Sequence, residues 1–269
     1  MSRRRRLDAE LVRRELAPSR AVAQGLIAEG RVTVGGAPAT KAARMVDPGD
    51  PVEVAGDGPR FVSRGGEKLD AALDRFGIDV QGKRVIDTGS STGGFTDCVL
   101  QRGAAAVVAV DVGRNQLHER LRGDPRVSVR EQTNIRHVEA DELGGVGQLV
   151  VTDLSFISVR TVAPHLVGFA APGADLVILV KPQFEAGKRE ADRGRGVIRD
   201  PEVWRRTLDE ATDAVSEAGA AIMGVMVSPI TGGDGNVEFL VHARRDGTGL
   251  TVDAWSTARD EVVAEAEAR

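Results

Sequence analysis

The sequence predicts a doubly wound α/β protein whose largely parallel sheet is preceded by a small, basic α+β module. Three observations carry this reading. From residue 84 onward, short apolar runs alternate with helical segments (RVIDTG, AVVAVDVG, RVSVREQ, QLVVTDLSF, ADLVILVKP, GAAIMGVMVS), the rhythm of βαβ units. The first 60 residues instead show two short amphipathic helices followed by small strands. Charge divides along the same line: residues 1–68 hold 13 Lys/Arg against 9 Asp/Glu, whereas the remainder holds 23 against 31.

Composition narrows the class further. The chain has 269 residues, 41% of them hydrophobic and 3% aromatic, so its core is aliphatic. Cys98 is the only cysteine, which excludes an internal disulfide and fits a reducing cytoplasm. Four scattered histidines beside one cysteine argue against a zinc site, so no metal is expected. No apolar run approaches the roughly 20 residues of a membrane span, and no signal-peptide pattern follows the N-terminal arginines. The expectation is a soluble cytoplasmic protein with no membrane partner, a monomer being favoured.

In chain order, Leu7, Leu11, Val12 and Leu16 recur at helical spacing, and Pro18-Ser19 closes that helix and caps the next. Val22, Ala23, Leu26 and Ile27 mark a second helix that ends at Gly30. RVTVGG and DPGDPVEV then read as strand and turn. The turn-rich stretch 60–66 is expected to link this module (1–59) to the larger domain (67–246). That domain opens with a helix carrying Lys68, Leu69, Leu73 and Phe76. Its last two apolar runs, GAAIMGVMVS and NVEFLVHARR, are positioned as an antiparallel pair. The acidic segment 247–269 is weakly patterned and expected to fray or be disordered.

Chemistry concentrates where strands end. In IDTGSSTGGFTD a strand ends at Asp87, and a glycine loop leads into a helix near Phe95. The spacing Gly89-x-x-x-Gly93-Gly94 matches neither the dinucleotide fingerprint nor a phosphate-binding P-loop. A strand-end acid before such a loop suits S-adenosylmethionine, with Asp87, Gly89, Ser90, Ser91, Thr92, Gly93, Gly94 and Phe95 around it. Asp111 ends the next strand, where a carboxylate can take both ribose hydroxyls. Asn134 and Asp153 lie along the same edge, the place where open α/β sheets bind ligands. In LVILVKPQFE a lysine terminates an otherwise apolar strand, and a buried cation is tolerable only beside carboxylates. Lys68, Asp153, Lys181 and Glu238 therefore form the candidate catalytic set.

The N-terminal stretch RLDAELVRRELAPSRAVAQGLIAEGRVTVGGAPA…VDPGDPVEV resembles the small S4-like RNA-binding domain first known from a ribosomal protein. The Lys-Asp-Lys-Glu constellation resembles the FtsJ-like ribose 2′-O-methyltransferases. With SRGGEKL, GSSTGGFTD, DLSFIS, VKPQFE and GNVEF, the chain from about residue 3 to 245 resembles the TlyA (hemolysin A) family. The resemblance implies S-adenosylmethionine-dependent methylation of cytidine 2′-hydroxyls in 16S and 23S ribosomal RNA, within ribosomal subunits. It also implies susceptibility to capreomycin and viomycin.

Such a reaction needs an aligned hydroxyl and a way to handle its proton. Lys181 is expected to touch that hydroxyl, as neutral base or as stabilising cation. Lys68 and Asp153 would set its position, and Glu238 would orient the lysine and ribose. Arg3, Arg4, Arg5, Arg6, Arg20, Arg60 and Arg64 are the expected RNA contacts, and Lys188 to Asp200 reads as a mobile loop beside the catalytic strand end. Three competitors are weaker. A non-catalytic RNA-binding protein would not need four catalytic positions, a secreted cytolysin lacks an amphipathic membrane segment, and a small-molecule methyltransferase would leave the basic module without a purpose.

Overall fold

The computed structural model describes residues 4–14, 16–17, 19–56, 59–187, 190 and 196–269. Arg3, Pro18 and most of the Lys188–Asp200 segment thus lie outside the described residues. The chain divides into two compact units, 1–63 and 64–269.

In the first unit, helices α1 (Leu7–Arg13) and α2 (Arg20–Ala28) pack together. Ser19 caps α2 by accepting a hydrogen bond from the Val22 amide at 3.3 Å, and Gly30 follows its end with a φ of +70° that suits glycine. The strands are β1 (Arg5–Arg6), β2 (Val32–Val34), β3 (Ala37–Pro38), β4 (Met45–Val46) and β5 (Val52–Val54). β1 pairs with β4, and β2 lies between β3 and β5. Leu7, Leu11, Leu26, Ile27 and Val32 form the core, so the helical and two-residue periods point at one shared interior.

The second unit opens with α3 (Gly65–Phe76), which starts two residues before the expected boundary at 67. Its strands are β6 (Arg84–Thr88), β7 (Ala106–Val110), β8 (Val127–Arg130), β9 (Gly147–Thr152), β10 (Ala170–Val180), β11 (Ala220–Val227) and β12 (Phe239–Arg245). They form one sheet in the order β11-β12-β10-β9-β6-β7-β8. β12 is antiparallel to both of its neighbours, and the other pairings are parallel. Helix α4 (Gly94–Gln101) packs on α3, whereas α6 (Val159–Gly168) and α8 (Pro201–Glu217) pack on each other; the short α5 (Glu119–Arg122) and α7 (Pro182–Glu185) lie between. Helices cover both faces, so strands such as Leu176–Val180 are apolar without alternation. Removing one such side chain, for example Ile178→Ala, is expected to cost about 2–5 kcal/mol.

The acidic tail differs from its expectation. Residues Val252–Glu267 form helix α9, which packs on β11 and α8. Val262, Val263 and Ala266 are buried, and Trp255 donates its indole N–H to Asp209 at 2.9 Å. One narrow apolar stripe among many acidic residues dilutes the periodic signal but is enough to dock the helix.

Candidate active site

The glycine loop after β6 is shaped by what lies against it. Gly89 has φ +83°, and a Cβ there would stand 2.5 Å from the Asp153 carbonyl oxygen, so only glycine lets the ends of β6 and β9 approach this closely. Asp87 is fully buried beneath the loop and accepts the Thr96 hydroxyl at 2.6 Å, tying β6 to the first turn of α4. Burial pushes its carboxyl up to about 7, with the Thr96 hydrogen bond opposing the shift. Its second oxygen, Oδ1, has no hydrogen-bond partner among the described residues.

Beside the loop lies a cavity of about 580 Å³. Of the predicted cofactor residues, Gly89, Ser91, Asp111, Asn134 and Asp153 line it. Asp87, Ser90, Thr92, Gly93, Gly94 and Phe95 lie outside its wall and build the loop instead. Ser90 accepts the Gly93 amide, and Phe95 is buried. Asp111 accepts backbone amides from Ser91 at 2.8 Å and Gly113 at 2.6 Å, which fixes its carboxylate at the cavity wall. Asn134 accepts the Arg136 amide and caps a short 3₁₀ turn. Val112 and Ile135 add apolar wall that the sequence reading did not single out.

The four candidate catalytic residues meet at one sheet edge. Asp153 follows β9, Lys181 follows β10, and Glu238 immediately precedes β12. Val180 pairs with Phe239 across β10 and β12, so the next step of that register sets Lys181 opposite Glu238. Lys68, on the buried side of α3 with Leu69 and Leu73, reaches Glu238 at 2.5 Å. Lys181 lies 2.6 Å from the Asp153 carboxylate and donates to the Ser155 hydroxyl at 2.9 Å. Both lysines are buried, each beside one acid, which compensates the cost of burying a cation. One expectation is corrected: among the described residues Glu238 pairs with Lys68, and the carboxylate that pairs with Lys181 is Asp153. The physical reason is that α3 delivers Lys68 to the β12 side of the edge.

Three residues here escaped the sequence reading. Ser155 anchors Lys181. Phe156 is 91% exposed with φ +64°, a strained conformation for a bulky residue, and its ring centroid lies 5.0 Å from that of Phe184. Only their place in DLSFIS and VKPQFE, next to Asp153 and Lys181, could have singled them out.

In the first unit the predicted RNA-binding arginines are organised by two buried acids. Asp8 accepts Arg6 through two hydrogen bonds, at 2.9 and 3.1 Å, and Arg20 at 2.9 Å, with Gln24 also at 2.9 Å. The Arg6 hydrogen bonds hold its carboxyl well below the usual range against burial, with help from Gln24 and Arg20. Glu10 is held near 2, mainly by Arg13, and Arg5 lies 4.0 Å away. Arg4 pairs with Asp47 at 3.1 Å. The guanidiniums of Arg6 and Arg20 stay about half exposed, so their outward N–H groups are available. Arg60 stacks over Phe61, and Arg64 is exposed at the start of α3 in the second unit.

Comparison with known proteins adds to this geometry. The FtsJ-like methyltransferase family matches residues 61–245, and the S4 domain family matches residues 5–52. The chain is 50% identical to the 16S/23S rRNA (cytidine-2′-O)-methyltransferase TlyA of Mycobacterium tuberculosis, over 91% of each chain. It is 38% identical to Hemolysin A of Brachyspira hyodysenteriae, over 88% of this chain and 98% of that one. A solved Streptococcus thermophilus structure assigned to the hemolysins covers 100% of this chain and 97% of its own, at 37% identity and a TM-score of 0.78. Among the described residues, no helix is long and apolar enough to cross a membrane.

Proposed function

The chain belongs to the TlyA family, which joins an S4 domain to an FtsJ-like methyltransferase domain, and on that premise we propose that it methylates cytidine 2′-hydroxyls of 16S and 23S ribosomal RNA. The observation that carries the reading is the convergence, at one sheet edge, of a ligand-sized cavity and two buried Lys–carboxylate pairs.

The cavity fits S-adenosylmethionine in size and in donor chemistry. Asp111 offers carboxylate oxygens for ribose hydroxyls, Gly89 and Ser91 offer close backbone approach, and Val112 and Ile135 offer apolar cover for a base. Asn134 and Asp153 complete the wall. S-adenosylmethionine, when bound, supplies a methyl already activated by the sulfonium charge, so that an S–C bond breaks, an O–C bond forms and the ribose hydroxyl proton is released. Lys181, gripped by Asp153 and Ser155, meets that hydroxyl and stabilises the charge developing on its oxygen. The hydroxyl proton passes to Lys181 as Lys181 gives one of its own to the Asp153 carboxylate, which is the final acceptor. The Lys68–Glu238 pair shapes the opposite wall and positions the ribose. Phe156 offers an exposed ring on which the target cytosine can stack. Arg4, Arg5, Arg6, Arg20, Arg60 and Arg64 grip phosphates.

The test is incubation with labelled S-adenosylmethionine and ribosomal subunits from a strain lacking the modification, followed by mapping of the labelled nucleotides. The expected result is label on cytidine 2′-oxygens in both RNAs, and capreomycin susceptibility restored to that strain by the gene. No label in any RNA overturns the proposal.

A further inference from the structure

Glu185 is a buried carboxylate that the chemistry above does not use. It ends α7, the single turn that follows Lys181. Its Oε1 accepts the Val159 amide at 2.7 Å, and its Oε2 accepts the Ser158 hydroxyl. Burial raises its carboxyl above the ordinary value, opposed by those hydrogen bonds. The charged groups facing it are Arg160, whose Nε lies 3.9 Å away, and Glu210, which Arg160 holds at 2.8 Å.

This arrangement is more than a helix cap. Helix α6 already has one, because the Ser158 hydroxyl accepts the Arg160 amide at 3.2 Å. What Glu185 adds is a link between two segments. Along Asp153–Ser158, a stretch without helix or strand, Asp153 and Ser155 bind Lys181, Phe156 meets Phe184, and Ser158 with Val159 meets Glu185. The contacts run in step, like a zipper, and Glu185 is its last tooth. The loop carries a strained residue, Phe156, and such strain persists only where surrounding contacts hold it. Burying a carboxylate here is costly, and the Val159 amide, the Ser158 hydroxyl and the nearby Arg160 guanidinium offset that cost.

We propose that Glu185 is a positioning residue that locks the Asp153–Ser158 loop onto α7, holding Asp153, Ser155 and Phe156 in register with Lys181. The inference rests on the catalytic reading of Lys181 given above. It predicts that loss of the link lowers turnover more than binding, because small misplacement of reacting groups costs rate steeply.

The experiment compares full-length Glu185→Ala, Glu185→Gln and Lys181→Ala with the parent, on ribosomal subunits at saturating S-adenosylmethionine, well below each protein's melting temperature. Glu185→Ala is expected to lower kcat by about tenfold to a hundredfold, with smaller changes in RNA KM and cofactor Kd. Glu185→Gln, which can still accept the Val159 amide, is expected to recover most of the rate. A parental kcat in folded Glu185→Ala overturns the inference, as does a Gln variant no better than Ala. If Glu185→Ala does not fold, Ser158→Ala takes its place: it removes one of the two hydrogen bonds, a several-fold fall in kcat supports the link, and a parental kcat overturns it. Lys181→Ala separates the two levels. If it is inactive while Glu185→Ala turns over normally, only the positioning role fails; if it is itself active, the catalytic reading fails and takes this inference with it.

Discussion

Where the continuous pairing of β10 with β9 and β12 begins, Asp175 gathers three basic partners: His242 and Arg244, each within 2.9 Å, and Lys83 at 3.5 Å. At the carboxyl end of the same strand, among the described residues, Lys181 meets a single carboxylate, Asp153, and Lys68 meets a single one, Glu238. Both ends bury acids and bases, but they differ in stoichiometry and in what adjoins them. Burial raises the Asp175 carboxyl, but the hydrogen bonds from His242 and Arg244 overcome that and bring it down to about 2. The pairs at the other end are matched one to one, and Asp153 also lines the cavity. Strand direction decides which end becomes a site, since loops at the carboxyl ends of parallel strands open a crevice. The Asp175 cluster serves stability.

That contrast can be broken at either end. The largest effect is expected from Lys181→Ala, which should lower methyl transfer by about 10²–10⁴-fold while leaving cofactor affinity and melting temperature near the parent's. Labelled-methyl incorporation and calorimetry check this; a large loss of stability would show the two ends to be alike. Asp175→Ala should do the reverse. It strands His242 and Arg244 and is expected to cost about 2 kcal/mol in urea unfolding, reduced from the fully buried case because Arg244 is partly exposed, with turnover per folded molecule unchanged.

A third expectation concerns pH and opposes two acids. Asp175, depressed to about 2, contributes stability that is present above the ordinary carboxylate value and lost as pH falls toward 2. Asp87, raised to about 7, binds its proton more tightly in the folded state, so stability falls as pH rises from about 4 to about 7 and then levels. Melting curves across this range should show Asp87→Asn flattening the fall above pH 4, and Asp175→Asn flattening the acid limb. The smallest effect belongs to the first unit: Arg20→Ala should weaken RNA binding and reduce its salt slope by about one, without affecting turnover at saturating RNA.

Much of the site was legible because it is written in short motifs. The glycine loop, Asp111 and the strand-end Lys181 each announce themselves within a few residues. Other features were hidden. Asp87 looks like a ligand contact beside the glycine loop, yet it lies under that loop and holds Thr96. The arginines of the first unit read as free cations, because nothing local shows that Asp8 collects Arg6 from two residues away and Arg20 from twelve. Helix α9 escaped because acidic residues are interspersed among the few apolar positions that dock it.

By itself the sequence determined most of the strands and helices, though not α9, and also that an α/β sheet follows a basic module and which residues stand at strand ends. These properties depend on periods of two and 3.6 residues and on turn chemistry, all of them local. Only the tertiary structure decided the pairings: Lys68 with Glu238 across 170 residues, Lys181 with Asp153 and Ser155, and Glu185 with the start of α6. Those contacts depend on strand order, above all on β12 inserting antiparallel between β10 and β11, and no local pattern encodes that order.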